Sequence, residues 1–315
     1  MDPYDYYKEF SREGSRVGKL MLLHQGIFQF GTVAVVFILL LIAGLFAGLR
    51  TGSYSASAFK DAVNDADVSQ LCTYLGSAIM QLIAGICFIV FYVKNKERIR
   101  SAPLAGGRLS LWLLIRCWFY ITASCLVIIG GKLFLQAALR MQIGDTMLRD
   151  TKYPVAVFIL GSVFPAIAEE LAFRGVLFRY LRKHGFFYAA LITSIIFGLC
   201  HMNLIQTVFT TILGLVLCYV YERSGHIWTC MLLHFVHNAT VLLFTLIEDQ
   251  TILLLPLCLL GFNCFVVLIL LFIFRFKPSI KTDRIAIKKT LTAIPMMVLI
   301  CVIVFFCILK VLFRF

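Results

Sequence analysis

Two adjacent carboxylates, Glu169 and Glu170, interrupt a stretch that otherwise reads as membrane-spanning: Phe164-Pro165-Ala166-Ile167-Ala168-Glu169-Glu170-Leu171-Ala172-Phe173-Arg174. An Asp at the centre of a spanning helix costs about 2.5 to 3.5 kcal/mol on insertion scales. A chain that keeps two acids side by side must supply partners for them in a layer that offers little water. His201 and the pair His234 and Asn238 lie in apolar stretches too and make the same demand. Together these residues point to an enzyme site built within a membrane.

The surrounding chain fits that reading. Hydrophobic residues make up 61% of it and charged residues 14%, with a mean hydropathy of +0.93, whereas soluble domains carry about 25% charged residues. Runs of about 20 apolar residues are long enough to cross the hydrocarbon layer. Nine candidate helices are read at approximately 28–49, 71–93, 110–139, 154–182, 186–202, 204–221, 226–247, 251–275 and 290–313. The expected fold is all-α, a polytopic transmembrane helix bundle of eight or nine spans, eight if one run is re-entrant or interfacial. With no linker or repeat, 1–315 is read as a single integral membrane domain. Its core is expected at about 150–245, behind a polar N-terminal segment, 1–27. The polar start gives no cleavable signal-peptide profile. The stretch from Arg50 to Gln70 reads equally as an interfacial helix or a loop.

A net charge of +13 raises the question of nucleic acid. The cations form no stripe with interleaved aromatics; most sit at the ends of apolar runs, so no nucleic-acid partner is expected. Counted in alternate loops, Lys and Arg divide 19 to 7. The positive-inside rule then places the N-terminus in the cytoplasm and the C-terminus on the far side. The 11 cysteines include no Cys-x-x-Cys and no zinc-finger spacing. Most lie in apolar spans as small hydrophobes, and Cys200 and Cys230 fall near the candidate site.

Within the central helix, Glu170 and Arg174 are four residues apart, with the acid N-terminal, which is the favourable order for a pair on one face. Glu169 lies about 100° round the helix and has no comparably placed counter-ion, which suits a general base. The bland alternative is that both acids bridge helices structurally. Gly185 is the midpoint between Glu169 and His201, so two antiparallel helices joined there bring these residues to one level. Phe197 is one turn before His201, placed to pack beside its ring. His234 and Asn238, four apart, share a face. His237 is offset from them and ambiguous, while His24, His184 and His226 read as solvated or interfacial residues at helix ends or loops.

Glu169-Glu170-x-x-x-Arg174, Phe197-x-x-x-His201 and His234-x-x-x-Asn238, in that order, resemble the three motifs of the CPBP family, which comprises type II CAAX prenyl proteases and bacteriocin-processing or Abi proteins. The resemblance spans roughly residues 150 to 245 and includes the Phe173-Arg174-Gly175 context. It implies an intramembrane endopeptidase. Carried over position by position, Glu169 would activate water with help from His201 and His234, and Asn238 would hold the developing oxyanion. Glu170, Arg174 and Phe197 would support the geometry. The implied partners are the bilayer and a peptide or membrane-protein substrate, lipidated in some members: a CAAX-type tail, a bacteriocin or pheromone precursor, or another membrane peptide.

No cofactor is favoured. Zinc held by Glu169, His201 and His234 with an open fourth position is the alternative, but no His-Glu-x-x-His is present, and using Glu170 as the base would cost it Arg174. Two rival readings of the chain remain at this stage. One is a catalytically silent immunity or scaffold protein; the other is a proton-coupled transporter, although no repeated halves are visible.

Overall fold

The computed structural model describes residues 3–52, 60–61, 63–102, 104–106, isolated positions between 112 and 119, 151–244 and 284–313. The runs read at 110–139 and 251–275 thus lie mostly or wholly outside the described residues. Every regular element among the described residues is helical, and the fold is an all-α membrane bundle. Three helices are long and apolar enough to cross a membrane, and a bent pair near the C-terminus makes a fourth if taken as one span.

Helix α1 runs unbroken from Pro3 to Thr51. At 49 residues it is about 73 Å long, more than twice the thickness of the hydrocarbon layer. Its two halves carry different patterns. Phe10, Glu13, Val17 and Met21 recur every three or four residues and are buried, forming a stripe that docks on the bundle. Phe30, Val33, Phe37 and Phe46 are exposed, as a lipid-facing surface requires. The polar segment 1–27 is therefore helical from Pro3 onward and is packed against the bundle.

Helix α2, Ala66–Lys94, starts at Asp65, whose carboxylate accepts from the N–H groups of Asp67 and Val68, a side-chain cap. A short helix, α3, Lys96–Ser101, follows. Helix α4 spans Pro154–His184 and is not a uniform α-helix. π-helical turns occupy Ile159–Val163 and Leu171–Phe178, on either side of an α-helical stretch Phe164–Glu170. One cause is chemical: Pro165 has no N–H, and the Phe164 N–H reaches five residues back to the Ile159 carbonyl. Such single-turn expansions are frequent at functional sites. Gly185, at φ +102°, makes the break into α5, Phe186–Leu199.

Helix α6, Leu204–Ser224, is capped by the Asn203 side chain. Helix α7 is Ile227–Phe244. Helices α8, Arg284–Leu291, and α9, Ile294–Phe313, meet at a bend of 70°. Helix α1 packs on α2, α8 and α9, α5 packs on α6, and α7 packs on α4. At 14 residues, α5 is about 21 Å long and ends before Cys200. His201 therefore lies just beyond the helix rather than in its last turn, as the 186–202 reading had it.

The α5–α6 contact is close because Gly198 has no side chain. A Cβ there would run into the Thr211 hydroxyl and lie 2.5 Å from the Thr207 carbonyl. Small residues let helix backbones approach in this way. Gly198→Ala is expected to force the two helices apart at an overpacking cost of about 1–3 kcal/mol. A thermal-shift measurement in detergent checks this: the apparent Tm should fall by several degrees, and an unchanged melting curve contradicts the contact.

Basic side chains of α3 and of the C-terminal turns of α4 meet acids of α1 and α6 at one end of the bundle. Arg98 pairs with Glu13 at 2.6 Å and donates to the Tyr180 carbonyl, while the Tyr180 hydroxyl donates to Glu13. Arg182 binds both oxygens of Glu222, and Lys183 binds Glu9. The Arg179 guanidinium donates to the carbonyls of Ile99 and Ala102. At the opposite end, Lys152 pairs with Asp65 and Asp67.

Candidate active site

Three helices bring the polar residues of the three motifs together. Glu170 and Arg174, both fully buried, pair at 2.7 Å across one turn of α4. Arg174 also donates to the Gly214 carbonyl of α6 at 3.2 Å and lies 4.6 Å from the centre of the Phe197 ring. Gly214 also lets α6 pack closely on α5: a Cβ there would be 2.9 Å from Ser194. The guanidinium is thus compensated by a carboxylate, a backbone carbonyl and an aromatic face.

Sequence spacing did not foresee the second partner of Glu170. Its Oε1 lies 2.8 Å from His234 Nδ1 on α7. A carboxylate paired with Arg174 accepts, so Nδ1 carries the proton and, in the neutral ring, His234 Nε2 keeps its lone pair. That Nε2 faces Glu169, whose Oε2 lies 3.9 Å away. This is too long for a direct hydrogen bond and short enough for one water to touch both groups.

His201 is set up in the same way. Its Nδ1 is 2.9 Å from the Phe197 carbonyl, which can only accept, so its Nε2 is also unprotonated in the neutral ring. The Phe197 ring stands edge-on to both imidazoles, with centroids 5.1 Å from His201 and 5.8 Å from His234. Glu169 and His234 are both close enough to His201 to act on it electrostatically. Asn238 is half-buried one turn beyond His234 on α7.

Glu169 differs from Glu170 in every respect that matters to reactivity. Its side chain is 20% exposed, and among the described residues no Lys or Arg of α4 pairs with it, Arg174 being engaged by Glu170. The amide Nε2 of Gln81, on α2, donates to its Oε1 at 3.4 Å. Gln81 was missed from the sequence. A glutamine within an apolar run was the available signal, but nothing in the spacing joins it to a carboxylate 88 residues away.

The other histidines fall variously. His226 is exposed at the turn before α7. The His184 side chain is 8% exposed, lying against Arg98 and the Phe10 ring. His24, expected to be solvated or interfacial at a helix end, is instead buried mid-helix, its ring 5.1 Å from Phe88, because α1 begins far earlier than its apolar run. His237 is buried in α7. Cys230 is buried and donates to the Leu217 carbonyl.

The geometry also bears on a metal. With both Nδ1 atoms engaged, zinc would need the two Nε2 atoms and Glu169. Among the described residues, only Glu9, Glu13 and His184 gather three donor atoms within 4.8 Å. Glu169, His201 and His234 do not bring three donor atoms within that distance. The Glu9 and Glu13 carboxylates are already shared by Arg98 and Lys183.

Comparison with known proteins reaches the same segment. Residues 151–240 match the family model described as "Type II CAAX prenyl endopeptidase Rce1-like". A Bacillus subtilis (strain 168) protein described as "Putative membrane peptidase YdiL" is 34% identical over 91 residues. That alignment covers 29% of this chain and 37% of the relative, so the chain spans little more than a third of that protein's length. No solved structure matches. The segment that holds Glu169, His201 and His234 is thus the part of the chain that is similar to these membrane peptidases.

Proposed function

We propose that the chain is a membrane-embedded endopeptidase that hydrolyses a peptide bond of a membrane-associated substrate, using water activated by Glu169, His201 and His234 without a metal. The observation that carries this reading is the common setting of the two imidazoles. Each is held through Nδ1 by a fixed acceptor, and each keeps Nε2 for the reaction. The family match and the membrane-peptidase relative support the class of reaction. Candidate substrates are a CAAX-type tail, a bacteriocin or pheromone precursor, or another membrane peptide.

In this mechanism a water lies between Glu169 Oε2 and His234 Nε2. Glu169 takes its proton as the oxygen attacks the scissile carbonyl carbon. The Asn238 amide donates to the oxygen that gains negative charge; losing one such donor typically costs about 10²–10³ in rate. The C–N bond then breaks, and the proton moves from Glu169 to the leaving nitrogen. Glu170 and Arg174 keep His234 in the required tautomer and orientation, as outer partners of reactive imidazoles do.

The test uses purified protein in proteoliposomes, incubated with a membrane-proteome peptide mixture in ¹⁸O-labelled water and read by mass spectrometry. New C-terminal carboxylates carrying one labelled oxygen are expected, at a rate unchanged by the chelator 1,10-phenanthroline. Absence of new termini relative to protein-free liposomes would falsify the peptidase reading. Loss of cleavage on chelation, restored by added zinc, would refute the metal-free mechanism alone.

A further inference from the structure

A cleft of about 390 Å³ opens between α2 and α4, within the size range of ligand pockets. Four uncharged polar residues of α2 line it: Gln70, Thr73, Ser77 and Gln81. Their spacing of three, four and four residues puts them on one face of the helix. Elsewhere on the same helix Ile79, Leu82, Ile86 and Val90 are exposed, as lipid contact requires. A continuous polar stripe on a spanning helix needs an explanation, and its inner end supplies one, because Gln81 donates to Glu169.

The opposite wall belongs to α4 and includes Gly161 and Pro165. Because Pro165 has no N–H, the Gly161 carbonyl loses its ordinary helical donor. The cleft offers side-chain amides and hydroxyls of α2 along one side, facing a largely apolar wall of α4. In hydrocarbon every N–H and C=O of a non-helical segment must find a partner, and these groups are suited to that task. From Gln70 to Gln81 the stripe rises about 16 Å, the length of about five extended residues.

The geometry points to this cleft as the seat of the substrate's extended segment beside the scissile bond, its main chain bonded to the α2 stripe and led by Gln81 to Glu169. The inference rests on the peptidase reading and adds a substrate class. Among the described residues no charged side chain lines the cleft, so the segment it takes is uncharged: a buried charge there would lose its hydration without gaining a partner.

The experiment measures binding without cleavage, using the full-length Glu169→Gln protein in nanodiscs. The probe is a fluorescein-labelled peptide of Leu, Val and Ala, read by anisotropy. Saturable binding is expected, and Ser77→Trp should weaken it about tenfold or more. Thr73→Trp should do the same; Thr73 is exposed at the cleft, so this variant does not disturb the core. Ile86→Trp, on the opposite face of α2, should leave affinity unchanged, and an Asp at the centre of the peptide should weaken it as the cleft variants do. Equal affinity across these proteins, or no saturable binding, overturns the inference. Binding with this pattern but no cleavage by the Glu169-intact protein refutes the peptidase reading and leaves the cleft. Cleavage undiminished by the cleft variants does the reverse.

Discussion

Glu169→Ala is expected to abolish measurable proteolysis while leaving the fold intact. Losing a general base costs about 10²–10⁴ in rate, and here the same carboxylate also holds the attacking water against His234. Stability should scarcely change, because the side chain is partly exposed and its partners among the described residues are a long hydrogen bond from Gln81 and a 3.9 Å approach to His234. Glu169→Gln makes the comparison stricter, since it keeps the shape and removes the basicity. The measurement is the initial cleavage rate in proteoliposomes beside a thermal-shift curve. A Glu169→Gln protein that cleaves at the wild-type rate rules out the assigned base. His201→Ala and His234→Ala should also lose cleavage.

Arg174→Ala is expected to give the largest loss of stability of any single change at the site. Both members of the Glu170–Arg174 pair are fully buried, and removing one partner of such a pair costs about 3–5 kcal/mol because the other charge is left uncompensated. At about 2–4 °C per kcal/mol, the apparent Tm should fall by roughly 10 °C. Cleavage should fall too, since Glu170 is the group that orients His234. The double variant Glu170→Gln with Arg174→Met replaces both charges by groups of similar volume. It should be more stable than Arg174→Ala, as expected for directly coupled residues. A double variant no more stable than the single one would show that cavity formation, not the stranded charge, sets the cost.

Much of the site could be read from local spacing. The Glu170–Arg174 pair follows from the i, i+4 rule, and the packing of Phe197 beside His201 follows from one turn of helix. The break at Gly185 predicts a level shared by Glu169 and His201, and the structure places His201 just beyond the helix end, within electrostatic reach of Glu169. What spacing does not encode is contact between distant segments. The Glu170–His234 bond, 64 residues apart, and the Gln81–Glu169 bond depend on which faces of α2, α4 and α7 meet. The π-helical turns of α4 are invisible to a pattern that assumes a constant 3.6 residues per turn. The buried half of α1 was hidden for another reason: its docking stripe is short and interrupted by Glu9, Glu13 and Arg16, so hydropathy reads the segment as polar.

That docked half has a consequence for how the molecule is assembled. Thr290 Oγ1 meets the Phe10 carbonyl and the Tyr188 hydroxyl, so the opening helix is completed by residues translated 280 positions later. A nascent chain emerging from the ribosome carries all three motifs well before it carries α8. Until α8 arrives, the face of α1 at Gly14 lacks the close contact with Thr290 and Ala293, while Phe10 already has His184 and Tyr188 beside it. A chain stopped short of Arg284 should therefore insert and dock its first helix on α2, but hold it less firmly than the chain that carries α8.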